Sequence, residues 1–159
     1  VLFLESEVMY GMKGEVSDDP DYVIPIGKAR IAREGSDVTI VAHSKAYWIA
    51  LRVAERLAEE GFSAEVIDPR TIRPLDIDTI AASVSKTGRC LIAHEATRFA
   101  GFGAELSASI QERCFWDLEA PIMRVAGWDT PYPHAFEWEY FPGKRRVMNA
   151  LKQLMAEAT

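Results

Sequence analysis

Two ionisable residues, His94 and Glu95, stand directly after four apolar ones, Cys90-Leu91-Ile92-Ala93. An apolar run of that length fits a strand covered on both faces, as in a parallel sheet. The C-terminal end of such a strand is where α/β proteins gather ligands. An imidazole there can carry a proton; with no nucleophile beside it, a structural or interface histidine fits as well. Gly101-Phe102-Gly103 has two of the three glycines of a dinucleotide-binding turn, but Leu106 stands where the third belongs. Close packing of a helix explains those glycines better than a bound cofactor.

Other residues have the types for catalysis without the spacing. His43-Ser44 with a distant aspartate resembles the parts of a hydrolase triad, yet no strained elbow is expected at Ser44, and helix capping accounts for its hydroxyl. Asp76 and Asp78 are paired carboxylates, but at a helix start they are acids favoured by the dipole. The segment Gly127–Gly143 (GWDTPYPHAFEWEYFPG) sets His134 among aromatics and prolines. A loop so long and aromatic packs on a partner or lines a site, or else folds over its own sheet edge; the sequence leaves both open.

The elements that must position these residues can be read in order. Residues 28–33 alternate polar and apolar side chains as an edge strand does. After the turn Glu34-Gly35-Ser36-Asp37 comes a β-branched central strand, Val38–Ala42. Ser44 then caps a helix whose inward stripe is Ala46, Ile49, Ala50, Val53, Ala54 and Leu57, ended by Gly61. Ala64–Asp68 is the next strand. Asp76 caps a helix over Ile77–Lys86, closed by Gly88. Cys90–Ala93 is a strand; past the glycine loop a helix presents Ala104, Leu106, Ala108 and Ile110. Ile122–Ala126 is the last strand and Lys144–Ala156 the last helix. Strands and helices alternate, so the class is α/β with helices on both faces of the sheet.

At 159 residues the chain is the size of one domain, and 48% apolar and 26% charged residues are ordinary for a globular protein. A net charge of −6 argues against a general nucleic-acid surface. Two cysteines, Cys90 and Cys114, build neither a disulfide framework nor a zinc site and suit a reducing compartment. No apolar run reaches membrane-spanning length. Val1 opens on VLFLE without an initiator methionine, so residues 1–23 are expected to be a linker and the last strand of a preceding domain, and residues 24–159 the domain proper.

The ordered run PIGKARIAREGSDVTIVAHS, EVIDPRTIRPLDIDTI, SVSKTGR, HEATRFAGFGAELSASIQERCF and LEAPIMRVAGWDTPYPHAFEWEYFPG resembles the C-terminal half of the β subunit of thiamine-diphosphate-dependent 2-oxo acid dehydrogenases. The resemblance implies a transketolase C-terminal fold: a three-layer α/β/α sandwich on a mostly parallel five-stranded sheet, with residues 28–33 as an antiparallel edge strand. HEATRFAGFGAEL, LEAPI and GWDTPYPHAFEW look most like the branched-chain enzymes, whereas MYGMKGEV and IPIGKARIAREG look closer to pyruvate- or acetoin-cleaving relatives.

That resemblance also implies a division of labour. Thiamine diphosphate and its magnesium would be bound outside this chain, between the α subunit and the preceding pyrimidine-binding domain of the β subunit. The expected role here is assembly with the α subunit and a second β subunit, and docking of the subunit-binding domain of the lipoyl acyltransferase. No catalysis is expected from this piece alone, and no cofactor- or metal-binding residue is assigned in it. The family's acidic docking residue in L-(D/E)-A-P corresponds to Glu119, which otherwise reads as a solvated acid. Asp129, Pro131, Pro133 and His134 match the family's DTP-x-PH loop and are expected at a subunit contact; His134, like His94, is retained as a candidate catalytic acid. The ending MAEAT differs from the short hydrophobic terminus that some members bring to the docking surface. A bacterial cytoplasm or a mitochondrial matrix is expected, and secretion is not. The competing reading, of another class, is a stand-alone α/β interaction or regulatory module outside any dehydrogenase complex.

Overall fold

A computed structural model describes residues 1–157. The core begins with the alternation of side chains along five strands: β1 (Arg30–Arg33), β2 (Val38–Ala42), β3 (Ala64–Asp68), β4 (Cys90–Thr97) and β5 (Met123–Gly127). They form one sheet in the order β1-β3-β2-β4-β5. β2, β3, β4 and β5 run parallel and β1 is antiparallel to β3 at the edge. Because successive residues point to opposite faces, Val38, Ile40 and Ala42 of β2 join one core cluster with Leu91, Ala93 and Val125. Val41, Ile67, Cys90 and Ile92 join the other.

The first cluster is closed by α1 (Lys45–Glu59) and, after β5, by the terminal helix α5 (Lys144–Ala156). The second is closed by α2 (Ile77–Thr87) and α3 (Phe102–Cys114). A short helix, α4 (Glu137–Tyr140), lies within the loop before α5. This is the three-layer α/β/α sandwich expected, with the one antiparallel strand at the predicted edge. No helix of the described residues is long and apolar enough to cross a membrane.

Local chemistry explains most boundaries. Asp76 caps α2, its carboxylate accepting from the Thr79 amide and hydroxyl, and Gly88 ends that helix in the left-handed conformation at φ 68°. The Asp76 carboxyl is pulled down: burial opposes its charge, but bonds from the Ala29 amide and from Thr79 outweigh it. Across the sheet, Glu65 is fully buried and held by Lys86 and by the Gly35 amide.

Several expectations are corrected. Ser44 does not cap α1: it makes no capping bond and sits at φ 56°, ψ −138°, so a strained strand-to-helix turn is present where none was expected. β4 runs on to Thr97, with a register shift against β5 between Ala93 and Thr97, so His94 and Glu95 are part of the strand that was expected to end at Ala93. Gly103 lies inside α3, and the buried side of that helix is Gly103, Leu106, Ile110 and Cys114. Ala108 is exposed and Ala104 only half-buried, because the face turned to the sheet runs through Leu106, Ile110 and Cys114, which pack with Val41, Ile80 and Ile92. The edge strand starts at Arg30, with Lys28 and Ala29 leading in. Val1–Glu5, expected to belong to a preceding domain, is exposed and pairs with no strand of this chain, which leaves that expectation as it was. Ala158 and Thr159 lie outside the described residues, and with them the contact considered for the terminal carboxylate.

Candidate functional site

β2 connects to β3 on one side while β4 lies on the other, so the C-terminal ends of β2 and β4 flank a topological switch point. His43 and Ser44 follow β2 there, and the bulged end of β4 brings His94 and Glu95. His94, continuing the face of Ile92, is fully buried under α3. Its ring is parallel to that of His43 within 3°, with centroids 6.2 Å apart, and Phe102 meets His43 edge-on at 6.0 Å. Burial, reinforced by His43 and Arg124, pushes His94 down to about 4. Burial also lowers His43, against the opposing pull of Asp68.

On the other side of the same strand ends, Glu95, Ser44, Tyr132, Glu137 and Phe141 line an open cleft of about 280 Å³ with Glu5–Val8. Burial raises the Glu95 carboxyl, opposed by Lys45 and by the Ser44 hydroxyl. Tyr132 donates to Glu137, and that bond, with the neighbouring carboxylates, pushes the phenol up to about 12. His43 is engaged with His94 rather than with Ser44, so no serine–histidine relay assembles. Among the described residues no three His, Cys, Asp or Glu side chains come together to hold a metal ion.

The aromatic loop after β5 turns out to be largely self-supporting. Trp128 donates its indole N–H to the Glu139 carbonyl and lies 4.1 Å over the Arg146 guanidinium. Arg146 in turn donates to the Tyr140 and Ala126 carbonyls at 3.2 and 2.6 Å. Tyr140 packs edge to face on Tyr132 at 5.3 Å and on Phe141 at 5.4 Å, and Tyr132 lies tilted to Phe141 at 5.8 Å. The loop therefore folds over its own sheet edge, while Phe136 and Trp138 remain 61% and 67% exposed. Arg146 was not singled out from the sequence. The signal was there: three basic residues in the first turn of α5 oppose the helix dipole, so one of them needs a separate reason.

The expected contact residues divide between the two ends of the sheet. Asp129, Pro131, Pro133 and His134 follow β5. The Asp129 carboxylate accepts the Phe99 amide at 2.7 Å, His134 packs against Tyr132 at 4.9 Å, and Asp129, Pro131 and His134 are exposed. Glu119 precedes β5, so about 17 Å of strand separates it from them. It is exposed and pairs with Arg89 at 2.7 Å. Its amide donates to the Gly88 carbonyl at 2.8 Å. His94 and His134 share no partner, one stacked inside the fold and the other on the surface.

The family described as "Transketolase, C-terminal domain" matches residues 27–147. The chain belongs to that family. It is 48% identical over 98% of its length to the 2-oxoisovalerate dehydrogenase subunit beta of Pseudomonas aeruginosa, covering 48% of that protein. It is 44% identical over 97% of its length to the mitochondrial pyruvate dehydrogenase E1 component subunit beta of Dictyostelium discoideum, covering 45% of it. Among solved structures, a split-gene transketolase described as an inactive beta4 tetramer superposes with a TM-score of 0.72 at 27% identity, over 88% of this chain and 45% of that one. The chain thus spans about half the length of the curated relatives it matches.

Proposed function

We propose that this chain is the C-terminal domain of the β subunit of a thiamine-diphosphate-dependent 2-oxo acid dehydrogenase, acting on a branched-chain 2-oxo acid or pyruvate and passing the acyl group to a lipoyl arm. The observation that carries this reading is identity of 48% across 98% of the chain to a 2-oxoisovalerate dehydrogenase β subunit. Decarboxylation belongs to thiamine diphosphate, with its magnesium, held by the α subunit and the preceding β domain. This domain contributes surfaces. The loop carrying Asp129, Pro131, Pro133 and His134 meets a neighbouring α or β subunit at the C-terminal edge of the sheet. Glu119 at the opposite edge receives a basic side chain from the subunit-binding domain of the acyltransferase. The relatives' names place them in bacteria and mitochondria, and a bacterial cytoplasm or a mitochondrial matrix is the compartment we infer.

Calorimetric titration of the acyltransferase's subunit-binding domain into the assembled αβ enzyme tests the docking role. Glu119→Lys is expected to weaken binding at least tenfold, about 1.4 kcal/mol, while leaving decarboxylation of the free 2-oxo acid unchanged. Equal binding by both forms rejects the role for Glu119. Decarboxylase turnover by this chain without an α subunit rejects the division of labour altogether.

A further inference from the structure

The stacked histidines are not used by the surfaces just described, and their environment is unusual. His94 has no exposed surface and no side-chain hydrogen-bond partner, the Ala96 backbone being the one polar neighbour that favours its charge; His43 Nε2 is also buried without a partner. Orphaned buried nitrogens call for an explanation. No third ligating side chain among the described residues joins them as a cation site, so they are read as sites for a proton.

We propose that His43 and His94 form an acid-sensitive latch, in which protonation of His94 expels its ring from beneath α3 and frees the 97–103 segment together with the loop anchored to it.

The geometry supplies the mechanical link. A Cβ at Gly103 would overlap His94 Nε2, and one at Gly101 would come within 3.0 Å of His94 Cε1. The neutral ring therefore fills the space that these two glycines leave at the start of α3. A cation there would face the positive end of the helix dipole. The charged groups acting on the ring are His43 from the end of β2 and Arg124 from β5, and both disfavour a second positive charge. From α3 the ring meets Gly101 and Gly103, and the first-turn acid Glu105 is exposed. Its neighbour on β4, Glu95, lies in the cleft with Tyr132 and Phe141, and Asp68 acts on His43. Beyond the glycines, Phe99 gives its amide to Asp129, so loosening residues 97–103 removes a tether of the 127–143 loop.

The sign follows from linkage. An opened segment, with His94 near its ordinary value of 6.5, binds more protons than the closed one, where it titrates near 4. Closure is therefore complete above about pH 6.5 and weakens as pH falls towards 4. Between pH 7 and pH 5 the opening equilibrium should rise about twenty-fold.

Native-state amide exchange of this chain, corrected for the intrinsic pH dependence, reads that equilibrium directly. Amides of residues 97–103 should lose about twenty-fold protection between pH 7 and 5, while those of α1 and α5 keep theirs. A His94→Leu chain should show no such segment-specific loss. If that variant does not fold, side-chain NMR titration of the wild type still decides: a His94 that titrates above pH 6 in the folded chain overturns the latch. So does protection at 97–103 that falls no more than in α1. Neither measurement depends on the dehydrogenase assignment, so failure of the latch leaves that assignment standing and the reverse also holds.

Discussion

Single residues in this chain act mainly through the space they leave or the charge they bury. Gly103 is the clearest case, because its missing side chain is where the His94 ring sits. Gly103→Ala should force the buried ring aside and cost about 1–3 kcal/mol, read as a lower midpoint in urea unfolding. Gly14→Ala is the control, since nothing lies within 4 Å of that exposed position outside any helix or strand; it should be neutral within about 0.5 kcal/mol. At Ser44 the backbone overrides the capping role its residue type suggests. A hydroxyl before a helix reads as a cap, but at φ 56° it projects into the cleft beside Glu95 instead.

Elements are joined by a few buried polar links. Glu65 on β3 is held by Lys86 on α2, which also reaches Glu34. Burial alone would raise the Glu65 carboxyl, but bonds from Lys86, Ser83 and the Gly35 amide bring it below its ordinary value. A depressed carboxyl stabilises the fold above its unfolded value, and that contribution is lost as pH falls through the folded one. Lys86→Met should leave a buried carboxylate without its cation and destabilise by about 1–3 kcal/mol. The double variant with Glu65→Leu should recover much of the loss in the same denaturation assay, because a buried pair replaced by apolar groups is often tolerated. At the other end of the molecule Arg146 ties α5 to the aromatic loop. Arg146→Ala should detach Trp128 from its guanidinium partner and shift tryptophan emission to longer wavelength, with α5 itself still helical by circular dichroism.

At the scale of the whole molecule, β5 separates the two edges proposed as contact surfaces. Glu119 lies before the strand, and the Asp129-to-His134 loop after it. In the proposed dehydrogenase the two should be energetically independent. Glu119→Lys should impair acyltransferase docking without changing subunit assembly, and Asp129→Ala should do the opposite; analytical ultracentrifugation and calorimetry on the same preparations separate the two. Equal effects of both variants on both measurements would show that the edges are coupled.

What the amino-acid sequence determined by itself was local in origin. The β-branched runs, the period of the helical stripes, the Asp76 cap and the Gly88 terminator each depend on neighbours in sequence, so strand and helix order, sheet class and most boundaries were legible. The ordered motifs added the family, because many short matches in sequence are specific together where none is alone. Tertiary structure decided the rest. Whether His94 faced a cleft or a helix depended on the side of β4 that α3 covers. The value of Arg146 depended on a tryptophan eighteen residues earlier, which only the folded loop brings against its guanidinium. Burial and long-range contact set the protonation state of the histidines and the reach of each charge, and neither is encoded in the identity of adjacent residues.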